Sequence, residues 1–168
     1  LESRLDADTI ESFELGAKFT LLDNRLTLNA AVYSIDWTGI PSRIRSPEPA
    51  CAGGFVNNNV GEAKSEGAEI ELGYLVAENL KLDLTVAYNE AKFTQVTESS
   101  GFEVGEPLPQ APHITANLGV EYGFDLGANP AFIRMDIHHS GEAEAASQQF
   151  ANPTVGDYNK INLRAGIA

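Results

Sequence analysis

Asp136-Ile137-His138 sets a carboxylate and an imidazole two residues apart, with His139 next to them. In an extended strand this spacing puts Asp136 and His138 on one face and His139 on the other. Metal ions are held that way, but a site needs a third ligand and the neighbouring sequence offers none. The pair is read as polar wall, and no metal or cofactor is assigned. Ser99 and Ser100 precede Gly101 without the Gly-x-Ser-x-Gly setting or a histidine partner that would activate a hydroxyl. The 24 Asp and Glu residues supply many chance carboxylate pairs, whereas paired acid catalysis needs a defined separation. Cys51 is the only cysteine, so no disulfide closes within the chain and no zinc site can be built from thiolates. No catalytic residue is assigned, and no enzyme is expected.

Side chains suited to holding a small molecule gather in three polar segments. The first carries Arg43, Arg45, Gly53-Gly54 and Asn57-Asn58-Asn59; its arginines could meet an anionic ligand or a sugar hydroxyl. The second carries Glu98, Glu103 and Glu106. The third, Glu142 to Gln149, has helix-forming composition and reads as a short helical turn. The candidate ligand-binding residues are therefore Arg43, Arg45, Asn57, Asn58, Glu98, Glu103, Glu142 and Gln148. The competing reading of all three segments is solvated loop.

The elements that must position these residues are strands. Leu80, Leu82, Leu84, Val86 and Tyr88 alternate with Lys81, Asp83, Thr85, Ala87 and Asn89, the period of a strand with unlike faces. Ile114 to Tyr122 and Ile133 to His138 repeat the pattern. Weaker versions run through Ser12–Phe19, Leu26–Tyr33, Gly67–Tyr74 and Ile161–Ile167. That makes seven strands of roughly ten residues, the length a tilted strand needs to cross a bilayer.

Connections after the first, third and fifth strands are tight: Leu22–Arg25, Ala77–Asn79 and Asp125–Pro130. Those after the second, fourth and sixth are long: Thr38 to about Val60, Thr94–Pro112 and Gly141–Asp157. Transmembrane barrels sort their connections by side in this way, and a soluble sandwich has no reason to. Aromatics agree: Phe19, Tyr74, Tyr122 and Phe124 lie beside the tight turns, and Tyr33, Trp37, Tyr88, Phe93 and Tyr158 lie near the long loops. The expected fold is all-β, an antiparallel up-and-down transmembrane β-barrel segment. Glu69, Glu71, Lys81, Asp83, Glu121, Arg134 and Asp136 then face inward.

No stretch is long and apolar enough for a membrane-spanning helix. A net charge of −13 excludes nucleic acid as a natural partner, since phosphate contacts need clustered Lys and Arg. The first nine residues, with Asp6 and Asp8, lack a signal-peptide pattern. Together with an odd strand count, this leads to the expectation that the chain is internal to a longer protein.

Four segments carry a family resemblance. Glu11-Ser12-Phe13-Glu14-Leu15-Gly16-Ala17-Lys18 resembles a strand in which an acidic and aromatic pair leads into "ElGlK". Arg25-Leu26-Thr27-Leu28-Asn29-Ala30-Ala31-Val32-Tyr33-Ser34-Ile35-Asp36-Trp37 resembles the following strand. Asn59 to Glu71 is similar to an "N-g-a-S-x-G-x-E-x-E" strand, and Leu108-Pro109-Gln110-Ala111-Pro112 to an "lPxaP" segment. In this order they resemble the late barrel strands of TonB-dependent receptors. The resemblance implies that residues 1–168 are about seven strands of a roughly 22-stranded barrel. It also implies outer-membrane localisation and active uptake of a scarce substrate (siderophore-iron, cobalamin or a saccharide). The partners it implies are the TonB complex, a plug domain, membrane lipid and a small-molecule ligand. A plug, a TonB box and the C-terminal strands are not recognisable in the chain. The alternative reading is a secreted all-β carbohydrate-binding module.

Overall fold

The computed structural model describes residues 5–45, 54–98, 100–145 and 154–167. Its strands are β1 (Thr9–Leu21), β2 (Leu26–Thr38), β3 (Pro41–Arg45), β4 (Phe55–Asn59), β5 (Gly61–Ala77), β6 (Leu80–Val96), β7 (Ile114–Leu126), β8 (Asn129–Ser140), β9 (Ala143–Glu144), β10 (Thr154–Val155) and β11 (Tyr158–Ile167). Seven of them form one sheet in the order β1-β2-β5-β6-β7-β8-β11, and β3–β4 and β9–β10 pair separately. All pairings in the large sheet are antiparallel, so the chain runs up and down as expected.

Register follows the alternation. Leu15 pairs with Val32, Val32 with Ala68, Ala68 with Tyr88 and Tyr88 with Ile114, a row of apolar side chains on one face. Leu84, Leu118, Ile137 and Ile161 make another. A one-residue slip would set charge into these rows, so the pattern specifies the pairing strongly.

No other described element covers the apolar face. Phe13 is 71% exposed and Leu163 72%, and Ile70, Tyr122 and Ile133 are also exposed. A continuous uncovered apolar surface of this extent marks a lipid or protein contact. Counted from the tight turns, the first carboxylates or imidazoles on that face are Glu11, Asp36, Glu66, Glu90 and His139, each about ten residues up its strand, with Ser34 two residues below Asp36 on β2. That is one bilayer crossing for a tilted strand. The tight-turn end is tied together: Arg25 Nε donates to Leu75 O at 3.0 Å, Leu75 N to Arg25 O at 2.8 Å, and Gly123 N to Asn79 O at 2.8 Å.

Two expectations need correction. β5 and β6 run 17 residues each, well beyond one crossing, because the ladder continues into the long-loop end. The helical turn expected from Glu142 is not formed where the structure describes it: Ala143–Glu144 pairs with Thr154–Val155, and Gln110 N donates to Glu144 O at 2.8 Å. Alanine and glutamate favour helix by only tenths of a kcal/mol, which strand pairing overrides. Residues 146–150 lie outside the described residues.

Candidate functional site

The polar face of the sheet is a wired surface. Arg134 on β8 is 15% exposed; its Nε donates to Asp136 Oδ1 at 2.9 Å and its Nη1 to Asp83 Oδ2 on β6 at 2.9 Å. Glu121 lies 3.7 Å away, and Lys81 meets Asp83 at 3.0 Å. To reach Asp83 from β8, the guanidinium must cross β7. Gly119 stands between Asp83 and Asp136 in the register, and a Cβ there would lie 2.2 Å from Arg134 Nη2. The missing side chain is the slot that Arg134 fills.

Gly67 does the same for Tyr33. It stands between Tyr33 on β2 and Asn89 on β6, and the phenol crosses it to donate to Asn89 Oδ1 at 3.2 Å. Ser65 Oγ donates to the same oxygen at 2.6 Å. Towards β1 the face is more acidic: Glu14, Glu69, Glu71, Lys18 and Asn29 line a cavity of about 370 Å³. Asn29 Nδ2 donates to Glu71 Oε2 at 3.1 Å.

The long-loop end has its own core. Ile40, Ile44, Val60, Ala63 and Phe93 are buried together, with Trp37, Val56, Val96, Phe102 and Leu108 packed around them. Phe93 and Phe102 stack with centroids 4.6 Å apart. The loop after β6 folds back on that strand: Phe93 N donates to Glu106 O and Leu108 N to Ala91 O, both at 2.9 Å. Above the apolar band, Lys64 stands opposite Lys92 and Glu66 opposite Glu90. Like charges face each other across the strands, and each lysine is neutralised along its own strand, Lys64 by Glu66 at 2.8 Å and Lys92 by Glu90. The hydrogen bond from Lys92 holds the Glu90 carboxyl below its ordinary value and raises the Lys92 ammonium.

The loop candidates fall into separate places. Arg43 lies exposed on β3, opposite Asn57 on β4, with its guanidinium 4.8 Å from the Phe55 ring centre. Arg45 ends β3, and Asn58 pairs with Ser42 and accepts a hydrogen bond from Asn59 N at 3.0 Å. Glu98 and Glu103 are exposed on the loop after β6, where Glu103 N donates to Glu106 Oε2 at 2.8 Å. Glu142 is exposed at the exit from β8, with β6 and β7 between it and β5. Gln148 and Cys51 lie outside the described residues. The structure therefore joins Arg43, Arg45, Asn57 and Asn58 on one hairpin; the loop with Glu98 and Glu103 packs against the same loop-end core through Phe102, and Glu142 lies further along the sheet. Asp136 and His138 have partners within the wall: Asp136 accepts from Arg134, and His138 Nδ1 lies 2.7 Å from Asn117 Oδ1.

Sequence reasoning missed the loop-end core and the glycine slots. The core had a signal: Ile40, Ile44, Val60, Phe102 and Leu108 are apolar residues inside segments read as polar loops. The slots had a weaker one, glycines at wall positions on strands that otherwise alternate cleanly.

Comparison with known proteins agrees with this geometry. Residues 3–168 match the family described as "TonB dependent receptor-like, beta-barrel". The probable TonB-dependent siderophore receptor PiuA of Acinetobacter baumannii is 25% identical over 127 residues, covering 70% of this chain and 16% of that protein. The ferric yersiniabactin uptake receptor FyuA from Yersinia pestis superposes with a TM-score of 0.73 at 19% identity, over 95% of this chain and 22% of its own. BauA, the ferric preacinetobactin receptor from Acinetobacter baumannii, gives 0.70 at 18% identity, over 93% of this chain and 22% of its own. The chain thus spans about a fifth of the length of the proteins it matches. Nothing in the fold or these relatives supports a secreted carbohydrate-binding module. With its uncovered apolar face, polar inner wall and side-sorted connections, the chain belongs to the TonB-dependent receptor β-barrel family of the outer membrane.

Proposed function

We propose that the protein to which this chain belongs takes up a ferric chelate across the outer membrane, using energy delivered through TonB. The single observation that carries the reading is the two-faced sheet. One face is apolar and uncovered over one bilayer crossing, and the other is polar and internally paired, so it can border a wet lumen. The family match supports a receptor rather than an enzyme. The relatives' names support iron as cargo: PiuA is named a probable siderophore receptor, and FyuA and BauA are named for ferric chelates.

In this reading the plug domain and the TonB contact belong to segments outside residues 1–168. The inner wall faces the plug, lipid covers the apolar face, and nucleic acid is no partner. Arg43, Arg45, Asn57 and Asn58 on the β3–β4 hairpin are the first loop residues to meet the ligand. Glu98, Glu103, Glu142 and Gln148 border the same vestibule. A deletion of the full-length gene tests this directly. Iron-starved cells lacking it should lose uptake of at least one radioiron-labelled chelate, and a protonophore should abolish that uptake in the parent strain. Unchanged uptake of every chelate supplied, with growth defects on a sugar or on cobalamin instead, would assign a different cargo.

A further inference from the structure

The β3–β4 hairpin has the outward form of a hinged flap. It prolongs the β2–β5 pairing in the same register: Trp37 faces Ala63, and four residues on along each strand Pro41 faces Asn59. A glycine stands in each strand between those pairs, Gly39 at φ +69° and Gly61 at φ +151°. Packing removes the freedom that such glycines would otherwise give. A Cβ on Gly61 would lie 2.0 Å from Gln95 O, so the bend is seated against the backbone of β6. Asn59 ties the base to the segment before β1: its Nδ2 donates to Asp6 O at 3.0 Å, and its Oδ1 accepts from Asp6 N at 2.9 Å.

The bend carries Ile40, Ile44 and Val60 into one cluster with Ala63 and Phe93, against Trp37. Trp37, Ala63 and Phe93 stand on the wall face, each one residue from outer-face Asp36, Lys64 or Lys92. The hairpin therefore leans into the lumen and not over the membrane. The loop after β6 enters the same cluster through Phe102 and Leu108. Its backbone is bonded to both neighbours, Thr97 N to Val60 O at 2.9 Å and Gly105 N to Phe93 O at 2.8 Å. The side of the hairpin left uncovered carries Arg43, Phe55 and Asn57.

We propose that the hairpin and this loop are one fixed wedge, which closes the barrel mouth above β2, β5 and β6 and stays seated while substrate enters beside it. Opening it would bring the apolar cluster into water and break backbone bonds on both segments. A ligand shifts such an equilibrium only by the difference in its affinity for the two states. A chelate on the Arg43–Asn57 side touches none of the buried cluster, so its contacts give no leverage for opening. Arg43, Phe55 and Asn57 then make a surface already in place, and binding there orders no loop. That last role rests on the uptake reading above, whereas the wedge itself does not.

Hydrogen exchange of the full-length protein in phospholipid vesicles tests the wedge without any ligand. The amides of Ile40, Val60, Phe93, Thr97 and Leu108 should exchange within about tenfold of those of Leu84 and Leu118 in mid-sheet. Complete exchange of the first group within minutes overturns the proposal. G61A should release the hairpin, speeding Ile40 and Val60 about tenfold or more and leaving Leu84 and Leu118 unchanged; no change at Ile40 and Val60 overturns the seat at Gly61. A tether tests the loop during transport. Lys92 and Pro107 face each other in an antiparallel bridge, a spacing that a disulfide spans. K92C/P107C is made with C51S, which removes the chain's own thiol. The probes are radioiron-labelled ferric citrate, a ferric tris-catecholate and a ferric trihydroxamate, given to cells that lack their other iron receptors. The oxidised variant should take up within twofold of the parent. A tenfold loss that a reductant restores means that the loop must lift, and overturns the proposal. If the parent takes up none of the three probes, the uptake reading is what fails, and exchange decides the wedge.

Discussion

β6 and β7 share one ladder but have two unlike faces. On the outer face Leu84 meets Leu118 and Leu82 meets Val120, and any apolar side chain of similar size would serve. On the inner face, one residue along, Asp83 meets Gly119, and Arg134 of β8 lies over that glycine to reach Asp83. The outer face is stabilised by what surrounds it, so its residues need a property. The inner face is stabilised by specific partners, so its residues need an address. Substitutions should separate the two in kind and in size.

The largest effect is expected from charge on the outer face. Leu84→Arg, in the middle of the apolar band, should destabilise the folded receptor by roughly 2–4 kcal/mol, the cost of a cationic side chain near the bilayer midplane. Thr85→Arg, its neighbour on the wet face, should cost far less. Denaturant titration of the full-length protein refolded in phospholipid vesicles reads both. Equal losses would mean that the two faces do not differ in their surroundings, and the lipid assignment would fail.

Next come the glycine slots, which differ from one another. A Cβ on Gly67 would lie 2.3 Å from Tyr33 Oη and 2.5 Å from Tyr88 O, a rigid ring and a backbone carbonyl. Gly67→Ala should therefore cost about 1–3 kcal/mol by overpacking. At Gly119 the nearest atom is the end of a flexible arginine, which can lift away at the expense of its bond to Asp83. Gly119→Ala should cost less, roughly 1 kcal/mol, and should not add to Arg134→Met, since both remove the same bridge. Additive losses in the double variant would show that Gly119 and Arg134 are not one device.

The difference between the faces also explains what could be read in advance. A property needed at every second residue repeats along a strand, so Leu80 to Tyr88 and Ile114 to Tyr122 announced their strands, their pairing and their outer face. An address does not repeat. Nothing in the spacing of Gly67 and Tyr33 says that one lies across the other, because the contact depends on register between distant segments. The loop end was hidden for a related reason. Ile44, Val56 and Val60 are scattered among Asn, Gly and Pro and form a core only once β3 and β4 pair. Of the candidate ligand residues, the four from the Arg43–Asn58 segment share the β3–β4 hairpin, a pairing of segments that their spacing in the sequence does not show.

The smallest effect belongs to the boundary between the faces and water, where Lys92 and Glu90 stand on the outer side above the lipid band. The lysine lowers the carboxyl's folded-state pKa, so the pair's contribution is present above the unfolded carboxylate value and is lost as pH falls through the lowered folded one. The raised ammonium sets the other limit: that contribution is complete below the unfolded lysine value and disappears as pH rises through the folded one. Glu90→Gln should therefore lower the unfolding midpoint slightly at neutral pH. The gap to the parent should close on acidification, and also in high salt, which screens exposed charges. Asp83→Asn, beside Arg134, should leave a gap that salt narrows less, because the Arg134 side chain is 15% exposed against 44% for Lys92. If salt erased both gaps equally, the inner wall would be as open to water as the rim, and its charges would be a solvated surface rather than a braced one.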